Sequence, residues 1–145
     1  MKWRKVASGS FPNITYETKE HGGEFLHIVT QVGSLDKEDR APVYEETLAL
    51  NKSSNYFCIL DNRNGKESLL SMADMSGIGD MLVARGIKRF IYAVVTKDPA
   101  YDKIIKLIKA ISMTKDLEVD AMSTADFATA EKFILARINA CEKQN

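Results

Sequence analysis

The segment GIKRFIYAVVTKDPAYDKIIKLI, residues 86–108, contains the pattern from which the fold class follows. Its first half contains RFIYAVVT (89–96), a short run that is apolar on both faces, as in a strand buried in the middle of a sheet. Asp98-Pro99 then predicts a helix N-cap followed by proline at the first helical position. The residues after it repeat at helical spacing on one face: Tyr101, Ile104, Ile105 and Ile108. The stretch therefore predicts a central β-strand that leads into an amphipathic helix.

Strands and helices also alternate on the N-terminal side of this stretch. Two β-rich runs, residues 13–18 and 24–32, flank the turn KEHGG and predict a hairpin, because paired glycines readily adopt positive φ. A helix follows, which we expect to begin near Ala41 with Pro42 in its first turn. The apolar segment YFCIL, residues 56–60, then predicts a second strand that is buried on both faces.

Two more helices and one strand are predicted around the central stretch. Residues 67–85 form a helical zone, in which Gly77 and Gly79 predict a break or a close backbone contact. The alternating residues 117–121 predict a half-exposed strand. Ser123-x-x-Asp126 is similar to a capping box and predicts the start of the last helix there.

The predicted order is therefore β-β-α-β-α-β-α-β-α. It places the chain in the α/β class, with a mixed, mostly parallel sheet, an N-terminal antiparallel hairpin and helices packed against the sheet. The length of 145 residues is that of one domain, so we expect residues 1–145 to form a single domain. Hydrophobic residues make up 45% of the chain and charged residues 28%, which are ordinary values for a globular protein.

The charge and the apolar pattern exclude several classes of protein. Lys and Arg together number 20, as do Asp and Glu, and this balance argues against a nucleic-acid binder, which needs a basic excess. We expect no membrane span, because no apolar run reaches roughly 18 residues. The first residues lack the apolar core of a signal peptide, and two cysteines are too few for a disulfide framework. These features predict a cytoplasmic protein.

The chain carries none of the common catalytic motifs that we sought: G-x-G-x-x-G, a Walker lysine loop, H-E-x-x-H or C-x-x-C. We therefore assign no catalytic residue, no cofactor and no metal, and we expect a non-enzymatic protein. His27 shares a strand face with Phe25 and Val29, which favours a packed neutral ring over a metal ligand. Cys58 lies within the buried strand 56–60 and is interpreted as a small hydrophobic residue.

Polar residues follow both predicted central strands. Asp61, Arg63 and Asn64 follow the first, and Lys97 and Asp98 follow the second. Ligands of parallel sheets bind beyond the carboxyl ends of the strands, and a helix N-terminus in the same region favours an anion. The sequence thus predicts a candidate site for a small anionic ligand. The alternative is that Asp61 to Asn64 form a polar turn and that Asp98 caps a helix.

The whole chain resembles the STAS-like superfamily in its SpoIIAA-like branch. The resemblance rests on the hairpin, on ILDNRN (59–64), on residues 86–108 and on LEVDAMSTADFATAEKFI (117–134). It implies a fold like that of anti-sigma-factor antagonists and a regulatory or interaction role, through a protein partner, a second copy of the chain or a small ligand. The alternative function is a small-anion or small-molecule binding protein, or a weak enzyme, that uses the loops after residues 56–60 and 89–96.

The same resemblance implies a phosphorylation site. In the antagonists, a serine within Asp-Ser-Ser/Thr-Gly is phosphorylated, and the segment here that matches it is Asp74-Met75-Ser76-Gly77. Ser76 would then be the phosphoacceptor. The alternative is that Ser76-Gly77 marks a helix break, because Met75 stands where the antagonists have the first hydroxyl residue.

Overall fold

The computed structural model describes residues 2–144, with side chains described through Cys141. Within this range, six strands and four helices follow one another along the chain. They are β1 (Arg4–Ser10), β2 (Ile14–His21), β3 (Glu24–Gln31), α1 (Lys37–Leu50), β4 (Asn55–Asp61), α2 (Met72–Ala84), β5 (Arg89–Val95), α3 (Tyr101–Ser112), β6 (Glu118–Thr124) and α4 (Phe127–Gln144). None of the described helices is long and apolar enough to cross a membrane.

The strands form one sheet in which they lie in chain order, from β1 to β6. β1, β2 and β3 pair antiparallel, whereas β3, β4, β5 and β6 pair parallel. This confirms the predicted α/β class with its mixed sheet and its hairpin, whose turn residues Gly22 and Gly23 have φ of 60° and 83°. The structure adds β1, which the sequence analysis missed. None of the β1 side chains is buried, so this edge strand is held by backbone pairing to β2 and leaves no hydrophobic pattern.

The sheet is covered on both faces. Because the parallel strands lie in chain order, the connecting helices α1, α2 and α3 pack together on one face, while α4 covers the other. The buried residues of β5 alternate as predicted. Ile91, Ala93 and Val95 belong to the α4 side, and Phe90, Tyr92 and Val94 belong to the side of α1, α2 and α3.

Two helix predictions need correction. α1 begins at Lys37 and not near Ala41, because Asp36 and Asp39 form a capping box there. Pro42 therefore lies inside the helix. Proline lacks the amide N–H that would bond the carbonyl of Glu38 four residues earlier. Because Glu38 is exposed, water can reach this carbonyl.

The prediction for the second helix also needs correction. α2 begins at Met72, after a capping box formed by Ser71 and Asp74, and it continues without a break to Ala84. Gly77 and Gly79 therefore do not interrupt it. The alternative prediction, a close contact at one of these glycines, applies to Gly79. A Cβ at this position would lie 3.0 Å from Lys115 Cδ.

The starts of α3 and α4 also differ from the predictions. The residue before α3 is Ala100, and no side chain caps it. Asp98 is nevertheless used locally, because its Oδ1 accepts a hydrogen bond from the Ala100 amide at 2.9 Å. Before α4, the capping carboxylate belongs to Asp126, which accepts from the amides of Ala128 and Thr129. The proposed box partner Ser123 lies in β6 and donates to Asp102 instead.

Candidate functional site

The residues that follow β4 and β5 lie at the same edge of the sheet. Asp61 pairs with Val95 in register, and the Asn62 amide donates to the Val95 carbonyl at 2.8 Å. Asn62 is buried, and its side chain bonds both the amide and the carbonyl of Lys66, which stabilises the loop between them. Adjacent strand ends thus bring the two halves of the predicted anion site to one edge.

Arg63 is bound by a neighbour within this loop. Its Nε lies 2.9 Å and its Nη2 lies 2.7 Å from the two carboxylate oxygens of Asp61, which is the bidentate geometry that an anionic ligand would need. The guanidinium also lies over the ring of Phe127, at 5.3 Å from the ring centroid. Hydrogen bonding from Arg63 lowers the pKa of the Asp61 carboxyl. An anion at Arg63 would therefore have to compete with Asp61.

The other predicted site residues are more loosely placed. Asn64 donates to the Gln31 carbonyl at 3.4 Å, and Lys97 and Asp98 are exposed. α3 begins two residues later than predicted. Its first three amides are not free for an anion, because each donates to the carbonyl three residues before it. Asp61 to Asn64 form the polar turn of the alternative interpretation, and anion binding at these residues stays a prediction.

Ser76 lies in the second turn of α2 and is half-buried. Asp74, two residues earlier, is engaged in the capping box, and Asp80, one turn later, forms an ion pair with Lys115 at 2.6 Å. A phosphate on Ser76 would thus lie beside an existing ion pair, and phosphorylation of Ser76 stays a prediction.

A cavity of about 50 Å³ lies between α2, α3 and the sheet, away from the predicted loops. Most of its lining is apolar, and the side chains include Met75, Ile78, Leu82, Phe90, Ile104 and Ile108. Polar groups stand at both ends of α3. Tyr101, its first residue, lies beside Arg40 and Ser68, and Lys115 follows its last turn.

Arg40 is a buried cation in the wall of this cavity. The residue is 6% exposed, and its Nη2 donates to Ser68 Oγ at 3.1 Å. Ser68 Oγ in turn is hydrogen-bonded to the Tyr101 hydroxyl. Arg40 Nε has no hydrogen-bond partner among the described residues, although it is buried. One N–H group of a buried guanidinium is thus left without an acceptor.

The groups that surround Arg40 are neutral phenols. Burial by itself would lower the pKa of Arg40, but Tyr92, Tyr44 and Tyr101 more than offset it, so this pKa is raised. Burial also raises the pKa of Tyr44 to about 12 and that of Tyr92 well above its usual value. Near neutral pH, Arg40 is therefore charged, whereas Tyr44 and Tyr92 are neutral.

Sequence reasoning missed Arg40, although a signal was present. Four residues recur at the spacing of one helix face: Arg40, Val43, Tyr44 and Thr47. All of them except Tyr44 are buried. Extending the apolar stripe of α1 through position 40 would have placed a cation among core residues. The predicted helix start near Ala41 is wrong, and it leaves Arg40 outside the apolar stripe of α1.

The buried His27 and Cys58 have the structural roles that were predicted. The ring of His27 bonds Thr18 Oγ1 at 2.8 Å and Asn51 Oδ1 at 3.0 Å and stacks on Tyr56. Burial lowers the pKa of His27 to about 4, so its ring is neutral. Burial raises the pKa of Cys58 to about 12, which makes it a thiol and no nucleophile.

Comparison with known proteins supports the fold. No family model and no curated protein matches the chain. Among solved structures, the chain is similar to an uncharacterised protein of the DUF3478 family with a SpoIIAA-like fold, from Shewanella loihica PV-4. The two share 18% identity with a TM-score of 0.51, over 89% of this chain and 99% of the other. At this identity the similarity is one of fold: the chain has a SpoIIAA-like fold.

Proposed function

We propose that this protein is a cytoplasmic, non-enzymatic regulatory module that binds a small molecule in the cavity between α2 and α3. The observation that carries the proposal is the cavity itself. Its volume of about 50 Å³ exceeds what one water molecule needs, and its lining is mostly apolar. Apolar walls offer water few hydrogen-bond partners, so this space favours an apolar group.

The cavity is a better candidate than the loops at the carboxyl edge of the sheet. There, the guanidinium of Arg63 is already bound by Asp61, and Lys97 is exposed. Binding of a small anion at those loops is the alternative. It would require displacement of Asp61 from Arg63, and this costs any ligand part of its interaction energy.

A regulatory role is supported by the position of α2. The helix supplies one wall of the cavity through Met75, Ile78 and Leu82, and it carries Ser76. Leu69 and Met72, beside its start, are exposed apolar side chains. Ligand binding or phosphorylation of Ser76 would shift α2 and change this surface, which a protein partner or a second copy of the chain would contact.

The proposal is tested by titration with 1-hexanol, a neutral apolar probe, while the isoleucine methyl groups are followed by NMR. We expect saturable shifts at Ile104 and Ile108, which line the cavity, and none at Ile134, which lies in the core under α4. Absence of saturation, or equal shifts at Ile134, would contradict ligand binding in the cavity.

A pair of variants separates the cavity from general effects on stability. Ile108→Phe should fill the space and abolish hexanol binding. Leu135→Phe makes the corresponding change on the half-buried side of α4, on the other face of the sheet, and should leave binding unchanged. If both variants bind like the parent protein, the probe does not occupy this cavity.

A further inference from the structure

Arg40 is a charged side chain whose surroundings do not neutralise it. In the described part of the chain, no carboxylate forms an ion pair with its guanidinium, which donates a hydrogen bond to the hydroxyl of Ser68 and interacts with Tyr92. The nearest carboxylate in sequence, that of Asp39, is engaged by the Asp36 amide and by Asn13. A buried guanidinium without a counter-ion is unfavourable, so folded proteins rarely retain one without a partner.

Arg40 belongs to the wall of the space that a ligand would fill. Arg40 lines the cavity between α2 and α3, and it also borders a smaller cavity of about 20 Å³ beneath α1. Its Nε has no partner, and its Nη2 is bonded only to a neutral serine hydroxyl. These two N–H groups lie on the same edge of the guanidinium. Through this edge an arginine can bind a carboxylate with two parallel hydrogen bonds.

The other cation at the cavity is not available for the same purpose. Lys115, beyond the far end of α3, is already paired with the Asp80 carboxylate at 2.6 Å. The cavity therefore has one unneutralised charge at one end and an apolar lining, including Ile104 and Ile108, along α3. This distribution matches a molecule with one anionic group and an apolar chain.

We propose that Arg40 binds the carboxylate of an aliphatic monocarboxylic acid whose apolar chain occupies the cavity between α2 and α3. This inference rests on the proposed function and names the class of its ligand. A single negative charge balances Arg40, whereas a dianionic phosphate monoester would leave a second charge uncompensated among apolar side chains. The Tyr101 and Tyr92 hydroxyls, close to Arg40, are additional donors for the carboxylate oxygens.

The test compares three probes with the same six-carbon chain: hexanoate, 1-hexanol and hexyl phosphate, titrated at pH 7 and constant ionic strength. A hydrogen-bonded ion pair should make hexanoate bind roughly tenfold to hundredfold more tightly than hexanol. Hexyl phosphate should bind more weakly than hexanoate. Tighter binding of hexyl phosphate would overturn the assignment to carboxylic acids.

Variants of α1 identify the group responsible. Arg40→Met keeps the length of the side chain and removes its charge, so it should abolish the preference for hexanoate while hexanol still binds. Arg40→Lys should keep part of the preference. Lys37→Met removes an exposed charge from the same helix and should leave the preference intact. Retained hexanol binding also shows that each variant is folded.

The outcomes separate this inference from the proposed function. If hexanol binds and hexanoate binds no more tightly, the cavity takes apolar ligands and Arg40 is not a carboxylate anchor. If the preference survives Arg40→Met, another group holds the carboxylate and the inference is wrong. If neither probe binds the parent protein, the proposed function itself fails.

Discussion

Lys115 Nζ lies 2.6 Å from Asp80 Oδ1, and this ion pair joins the segment after α3 to the middle of α2. The Lys115 side chain is only 13% exposed, because its aliphatic part passes over Gly79 on its way to Asp80. Gly79 and Lys115 both line the cavity, so the packing of Lys115 on Gly79 helps to set the distance between α2 and α3.

Alanine substitutions at Gly79 and Gly77 should therefore differ. Both glycines lie inside α2, where alanine favours the helix by about 1 kcal/mol. At Gly77 the added Cβ meets only Lys37 Nζ at 3.5 Å, so Gly77→Ala should raise the free energy of unfolding by about 0.5–1 kcal/mol. At Gly79 it meets Lys115 Cδ at 3.0 Å, so Gly79→Ala should gain less or destabilise. Urea denaturation measures both.

A double-mutant cycle assigns this difference to Lys115. In a Lys115→Ala background, the crowding at Gly79 is removed, and Gly79→Ala should then stabilise the protein as much as Gly77→Ala does. Equal effects of the two glycine substitutions in the parent background would contradict a packing role for Lys115.

Ile91→Ala should be strongly destabilising. Ile91 is 4% exposed and packs on the α4 side of the central strand β5. Truncation of a buried isoleucine leaves a cavity and costs about 2–5 kcal/mol. Leu107→Ala, at a position that is 37% exposed on α3, provides the comparison and should cost much less. A change within 0.5 kcal/mol (roughly the size of a surface effect) at Ile91 would show that this face of β5 is not a core face.

The buried ring of His27 makes stability depend on pH. The pKa of this ring is about 4 in the folded protein, whereas the usual pKa of a histidine side chain is 6.5. Below pH 6.5 the unfolded chain takes up a proton that the folded protein does not, so stability is full above this pH and is lost as the pH falls toward 4. Between pH 7.5 and pH 5 the loss should be about 2 kcal/mol.

The control for His27 is His27→Gln, which removes the titrating ring. The variant should be less stable at pH 7.5, but its stability should change little between pH 7.5 and pH 5, as measured by urea denaturation at each pH. If the parent and the variant lose the same free energy over this interval, groups other than His27 carry the pH dependence.

At the carboxyl edge of the sheet, removal of a competing carboxylate should reveal any affinity for anions. We expect phosphate to shift the amides of residues 61–65 and 97–101 only at millimolar or higher concentration (roughly the range of weak binding), because Asp61 holds Arg63. Asp61→Asn should strengthen these shifts, and Arg63→Ala should abolish them. If phosphate produces no saturable shift even in Asp61→Asn, these residues are turn and cap residues alone.

Phosphorylation of Ser76 should weaken the ion pair between Asp80 of α2 and Lys115. A negative charge at Ser76 lies one turn from Asp80 and competes with it for Lys115. Ser76→Asp should cost roughly 0.2–0.5 kcal/mol through like-charge repulsion and should change hexanol affinity, whereas neutral Ser76→Asn should do neither. If protein isolated from its source carries no phosphate and Ser76→Asp melts and binds like the parent, Ser76 is not a switch.

Local sequence patterns are sufficient to predict the sheet from β2 onward. The runs around residues 56–60 and 89–96 are apolar on both faces, and such strands are stable only when both faces are covered. The glycine pair at the hairpin and the helical spacing after Pro99 are likewise local patterns, and the structure confirms the elements they predict. Local patterns could not reveal β1, because none of its side chains is buried and the strand is defined by its backbone pairing with β2.

The environments of the chemically distinctive groups, in contrast, depend on tertiary packing. Arg63 and Asp61 were predicted at one edge, but their mutual pairing depends on the exact path of the loop that Asn62 holds. Arg40 gave no motif, because its burial results from α1 packing beneath Ser68, Tyr92 and Tyr101, which are distant in sequence. The periodicity of apolar residues shows which side chains face the core. Whether a buried charge has a counter-ion depends on which side chains from distant parts of the sequence pack against it.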